Sequence, residues 1–169
     1  MFKVFVFAMI SLFSTGVFAS YATIDMQLAL ETVKDGINAK TKLEKEFKDK
    51  QKMLKTREDE IKKMTEDYRL KAPAMNDSTR AQKEQEIQKK MAEFQNIMQQ
   101  AQSQMQQREI QLTKPIIDSI KLTIKEISEK GKYDMVYEKN QSGIFYSKET
   151  KDITNEVIAR YNEVHKSKK

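Results

Sequence analysis

A single histidine and no cysteine bound the covalent chemistry open to this 169-residue chain. His165 stands in a cationic tail, HKSKK, expected to fray, with no cysteine in the chain and no metal-ligand spacing around it, so neither a triad nor a metal set has rigid support. The acidic run at residues 57–60, REDE, lacks the spacing of a calcium loop, and no glycine-rich phosphate loop occurs. Catalysis is therefore not expected, and neither a cofactor nor a metal is called for. What the side chains offer is non-covalent contact. Ile87, Met91, Phe94, Met98, Ala101, Met105 and Leu112 recur at spacings of three and four, with Arg108 breaking the beat. The thioethers of Met91, Met98 and Met105 are unbranched and polarizable, so this stripe suits either seam packing or shallow contact with many shapes.

A second set of contact residues is cationic. Residues 40–63 read KTKLEKEFKDKQKMLKTREDEIKK. Such charges on an exposed helix serve solvation and local pairing, or, summed, attract acidic partners at long range. Lys50, Arg57, Met64 and Tyr68 on this stretch, Met75 at the turn that follows, and Met91, Met98 and Met105 on the return are the candidate contact residues.

These residues need long helices to carry them. A third of the chain is charged, only 38% is hydrophobic, and Gly and Pro together number six, four and two respectively, a balance that suits extended helices better than a thick core. Residues 1–19 carry one cation, Lys3, an apolar run VFVFAMISLF, and a small-residue end after Val17, the three-part pattern of a leader cleaved near Ala19. Loss of Lys3 lowers the formal charge from +6 to +5, since the leader holds no acid.

From Tyr21 to Met26 the apolar residues alternate as in a strand, and LALETVKDG connects to a helix over residues 37–71. Within it Phe47, Leu54, Ile61 and Tyr68 repeat every seven residues, while Leu43, Lys50, Arg57 and Met64 hold the companion positions. Half of that seam is polar, too little for a strong dimeric coiled coil. KAPAMNDST turns the chain, with Asp77 or Ser78 as cap, and the second arm runs back through Leu112. Pro115 predicts a kink or break. Beyond it Ile116, Ile117, Ile120, Ile124 and Ile127 form a broad face, and Gly131 is expected to end the helix with a positive φ. YDMVYEK then reads as a strand, NQSG as a turn, IFYS as its partner, and KDITNEVIARYNEV, residues 151–164, as a closing helix with face Ile153, Val157, Tyr161 and Val164, capped by Asp152 or Thr154. Ile24, Met26, Met135, Val136, Ile144 and Phe145 are expected on the sheet faces, with Ile117, Ile120, Ile124 and Val157 packed on them, and the tail is expected to be solvated. Three short strands make a sheet too small to stand alone, which predicts assembly between chains.

The order of a leader, a strand ending IDM, a basic hairpin, a proline-entered isoleucine helix and then GKYDMVYEKNQSGIFYSKETKDITNEVIARYN resembles the Skp/OmpH family of periplasmic chaperones. The resemblance implies an α+β fold. Residues 20–36 and 115–169 would form a small β-rich trimerisation body, and residues 37–114 a protruding antiparallel helical hairpin with its tip near 72–79, three of which hang like jellyfish tentacles. It also implies a homotrimer in the periplasm that holds unfolded outer-membrane β-barrel proteins without nucleotide. Ile24, Met26, Met135, Val136, Ile144 and Phe145 would then mediate the trimer, and the basic arms would face clients and anionic lipid or lipopolysaccharide. Two other classes compete: a structural coiled-coil spacer of the envelope, and a nucleic-acid binder. The export signal and the absence of aromatic interleaving argue against the last.

Overall fold

Asp25 ends the first strand and begins the first helix. Its carboxylate accepts the Leu28 amide at 2.8 Å, satisfying one of the free donors of the opening turn. The computed structural model describes residues 19–141 and 143–167; the leader expected at residues 1–19 lies outside the described residues except for Ala19. β1 is Tyr21–Ile24 and α1 is Met26–Thr32. Met26 is therefore the first residue of a helix, and not a sheet-face residue as its alternation predicts.

The chain turns a corner at Val33, which is extended and fully buried, and α2 runs unbroken over Lys34–Lys71. It starts three residues before the expected position and takes Gly36 inside it. A Cβ there would lie 1.7 Å from the Leu30 carbonyl oxygen, so only glycine lets α1 lie so close to α2. At the tip a 3₁₀ turn, Ala72–Ala74, leads to α3, Asp77–Gly131. Its cap is Asn76, whose side-chain oxygen accepts the Thr79 amide at 2.8 Å, and neither Asp77 nor Ser78.

α3 passes through Pro115 without a break. The ring removes the amide that would have met the Gln111 carbonyl, but Pro115 and Gln111 are both exposed and water can serve the oxygen. The turns on either side are held by Leu112 and Ile116 in the core. Gly131 is the last residue of α3, and it is Lys132 that adopts the left-handed conformation, φ 53. Glycine at 131 gives room of a different kind: a Cβ would meet the Tyr133 ring at 2.4 Å, so the ring would have to shift.

β2, Met135–Glu138, and β3, Lys151–Asp152, both pair in parallel with β1, in the order β2-β1-β3. Tyr21 faces Met135 and Thr23 faces Asp152. The expected hairpin is absent: IFYS forms no strand, and Ile144 and Phe145 are exposed residues of a connecting segment, outside the sheet. A parallel partner cannot follow a four-residue turn, and the chain must cross over before it pairs. α4, Thr154–Val164, closes the body. Ile153 holds its N-cap position, while the Asp152 carboxylate accepts the Thr154 amide at 2.9 Å and Thr154 Oγ1 accepts the Asp25 amide at 3.0 Å.

The core lies where β1, α1, the base of α3 and α4 meet: Ala22, Ile24, Ala29, Val33, Ile116, Ile120, Ile127, Ile153, Val157 and Tyr161. Val136 packs at its edge and Val164 is exposed. Tyr161 donates its hydroxyl to Asp35 Oδ2 at 3.0 Å, and burial followed by that carboxylate raises its pKa. The start of the tail is ordered against it. His165 stacks on Tyr161 at 4.0 Å between centroids, with Nδ1 2.9 Å from the Tyr161 carbonyl.

Candidate functional site

The two arms run antiparallel, as cross-arm pairs show: Glu46 with Arg108, Lys50 with Gln104, and Tyr68 with Glu84. The seam between them is narrow. Ile87 and Ala101 are buried, Phe94, Met105 and Leu112 half-buried, so the expected stripe is split between residues that face the first arm and residues that flank it. Met91 and Met98 are on the flank, 49% and 44% exposed.

Midway along the hairpin the arms do not fill the space between them. Phe47 and Leu54 of α2 line the gap together with Met98, Ala101 and Met105 of α3, and Ala101 contributes only a methyl to it. An open groove of about 340 Å³ results, with an apolar floor and a rim of Lys50, Gln51, Gln99 and Gln102. Lys50 Nζ donates to Gln104 Oε1 at 2.9 Å across one end. Phe47 and Leu54, read from the sequence as seam residues alone, belong to this groove. The signal that marks it is the charge-free run FQNIMQQAQSQMQQ, residues 94–107, where glutamines supply polarity without formal charge.

Of the eight contact candidates, three meet here: Lys50, Met98 and Met105. Arg57 and Met64 line a smaller gap of about 50 Å³ with Ile61, Phe94 and Ile97. Met64, Tyr68 and Met75 share a third space of about 270 Å³ near the tip with Ile87. Tyr68 donates to Glu84, a bond that raises the Tyr68 pKa. Met91 lines none of these three spaces.

Charge divides the first arm in two. In its distal half four of the six cations are matched within the helix: Lys55 with Glu58 and Asp59, Lys62 with Glu58, Arg69 with Glu66 and Lys71 with Asp67, while Arg57 and Lys63 form no ion pair among the described residues. The Lys62 and Lys55 contacts hold the Glu58 carboxyl below its usual range. In the proximal half, among the described residues, Lys40, Lys42, Lys45, Lys48 and Lys52 form no ion pair. Most of the unmatched positive charge of the first arm therefore lies in the half that carries the apolar groove.

A family model described as outer membrane protein (OmpH-like) matches residues 20–161. The chain belongs to the OmpH-like family. Its fold is similar to the crystal structure of a candidate outer membrane chaperone, also OmpH-like, from Caulobacter crescentus CB15, with a TM-score of 0.75 and 13% identity over 87% of this chain and 86% of that one. No curated protein matches the sequence. At 13% identity the similarity shows the fold, not the side-chain chemistry. In this OmpH-like chain the body candidates separate. Ile24 is buried, Val136 half-buried, and Met135, Ile144 and Phe145 exposed, so the last three are surface residues of a single chain.

Proposed function

We propose that this OmpH-like chain is an ATP-independent periplasmic holdase that cages unfolded outer-membrane proteins between basic helical arms. The observation that carries this reading is the uncovered groove of Phe47, Leu54, Met98, Ala101 and Met105 beside unmatched lysines. It offers shallow apolar contact and positive charge together on a surface that none of the described residues fills. One buried side chain gives ~1.5–3 kcal/mol at most, far short of tight binding. Several such contacts around one enclosure raise the effective concentration and retain a guest that stays mobile. Release then needs only a competing process that buries the guest's apolar face, such as membrane insertion.

An enclosure needs more than one hairpin, and self-association into a trimer supplies it. Supporting this are a sheet of strands four, four and two residues long, and the exposed aromatics Phe145 and Tyr146 of the segment that joins β2 to β3. Mass in solution tests the assembly. Suppression of aggregation of an unfolded β-barrel protein, at one guest per trimer, tests the function. A chain that assembles yet shows no affinity for unfolded proteins would instead be a spacer of the envelope. Contact of the proximal lysines with anionic lipid or lipopolysaccharide is a further part of the proposal, checked by salt-dependent vesicle binding.

A further inference from the structure

Ser20 and Asp134 clasp each other at the outer end of the sheet. The Ser20 nitrogen lies 2.6 Å from Asp134 Oδ2, and the Asp134 amide donates to the Ser20 carbonyl at 2.8 Å. This clasp extends the register of β1 and β2 by one step beyond Tyr21 and Met135. β1 is the central strand, and both neighbours pair with it alone, so whatever fixes its first residue fixes the sheet. The same nitrogen belongs to the peptide bond after Ala19, where the leader pattern ends.

We propose that leader removal at Ala19 creates a charged terminus that locks the body: the Ser20 ammonium pairs with the Asp134 carboxylate, and the sheet reaches full stability only in the processed chain. The inference rests on the reading of a leader cleaved at that bond. Hydrolysis by a leader peptidase breaks the Ala19 C–N bond with one water. The hydroxyl joins the Ala19 carbonyl carbon, whose acid ionises, and the Ser20 nitrogen takes the remaining proton and one more to become an ammonium. A neutral amide with a single N–H thereby becomes a cation with three donors, at a distance already suited to a charge-assisted bond. The Ser20 nitrogen opens onto a broad trough, about 810 Å³, in which Ser20 and Tyr21 face Lys148, Glu149 and Lys151. Lys151 is already paired with Glu156 at 3.2 Å. The lock therefore withholds part of the body's stability from the unprocessed chain, which must stay unfolded to be exported.

The test compares the full chain from Ser20 bearing a free amine with the same chain acetylated at Ser20, which restores the amide of the precursor, each with and without Asp134→Asn. The free amine should raise the thermal midpoint by about 1–4 °C, as expected of an exposed pair in a chain of this size, and Asp134→Asn should close the gap. No gap, or a gap that Asp134→Asn leaves unchanged, overturns the lock. Should Asp134→Asn fail to fold, titration of the Ser20 amine by NMR decides, with Asp134, Lys148, Glu149 and Lys151 as the charges that face it. Titration above the ordinary value of ~8 supports the pair, and an ordinary value overturns it. Mass analysis of the exported protein separates the two readings. Another first residue defeats cleavage at Ala19 and the lock with it, whereas a Ser20 start with equal midpoints defeats the lock alone.

Discussion

Arg108 reaches across the hairpin to Glu46, its Nε 3.1 and 3.2 Å from the two carboxylate oxygens. The position where the apolar beat of the second arm fails is thus the position where the arms exchange charge. Both side chains are about two-fifths exposed, so solvent screens the pair, and a coupling of about 0.5 kcal/mol is expected from a double-mutant cycle of Arg108→Ala with Glu46→Ala. Arg108→Leu, which completes the stripe, should raise the urea midpoint. A coupling of several kcal/mol would mean that the pair is far drier than its exposure indicates.

Met98→Glu should separate holding from folding. The residue is half exposed on the flank of the groove, so the midpoint should shift by no more than about 0.5 kcal/mol, while a carboxylate on the apolar floor should weaken retention of an unfolded β-barrel protein several-fold. Light scattering during dilution of the guest from urea measures it. Undiminished protection would place guest contact elsewhere.

Gly36→Ala weighs two opposing effects. Alanine gains about 1 kcal/mol of helix propensity over glycine, but its methyl would sit 1.7 Å from a backbone oxygen that cannot turn aside. The clash wins, at an expected net cost of about 3 kcal/mol. Gly131→Ala is the contrast, because its methyl meets the Tyr133 ring, which can rotate, and the cost should be about 1 kcal/mol. Thermal melts of both variants test the order.

Lys132→Gly should be stabilising. A residue with a Cβ at φ 53 carries a strain of about 1 kcal/mol that glycine lacks. Part of this returns as entropy lost on folding, leaving a net gain of about 0.5 kcal/mol. A lower midpoint would show that the lysine side chain contributes contacts that outweigh the strain.

Acid should loosen α4. Glu126 accepts two bonds from Arg160, at 2.7 and 3.1 Å, and one from Lys130 at 2.7 Å. The Arg160 bonds, then the Lys130 bond, hold its pKa down at about 2 from 4.5. The folded-state pKa is depressed, so the stabilisation is complete above pH 4.5 and is lost as pH falls toward 2. Glu126→Gln should flatten the midpoint-versus-pH curve in that window, and an unchanged curve would assign the acid sensitivity to other carboxylates, Asp152 among them.

Both arms and their turn were legible because helical periodicity is a local property: nothing in residues 37–71 breaks a helix, and the stripe from Ile87 to Leu112 keeps its beat. The body was legible in composition but not in pairing. A two-residue strand at Lys151–Asp152 leaves no alternation to detect, and its partner lies more than a hundred residues away, whereas IFYS has the alternation without the partner. Pro115 misled because its cost depends on whether the stranded carbonyl reaches water, which only the packing shows. The stacking of His165 on Tyr161 lay within reach of sequence reasoning, since residues four apart share a helix face. The groove was not, because it arises from a mismatch in side-chain length between arms, and each arm alone presents an ordinary seam.

The hairpin is inserted between β1 and β2, and both of its ends return to one place. Removing seven residues from α2 and the facing seven from α3 would shorten each arm by two turns, about 10 Å, and would leave every pairing of the sheet untouched. Depth is thus a free dimension of this architecture, adjustable in steps of one heptad, and a lineage can lengthen or shorten its arms without rebuilding their foundation.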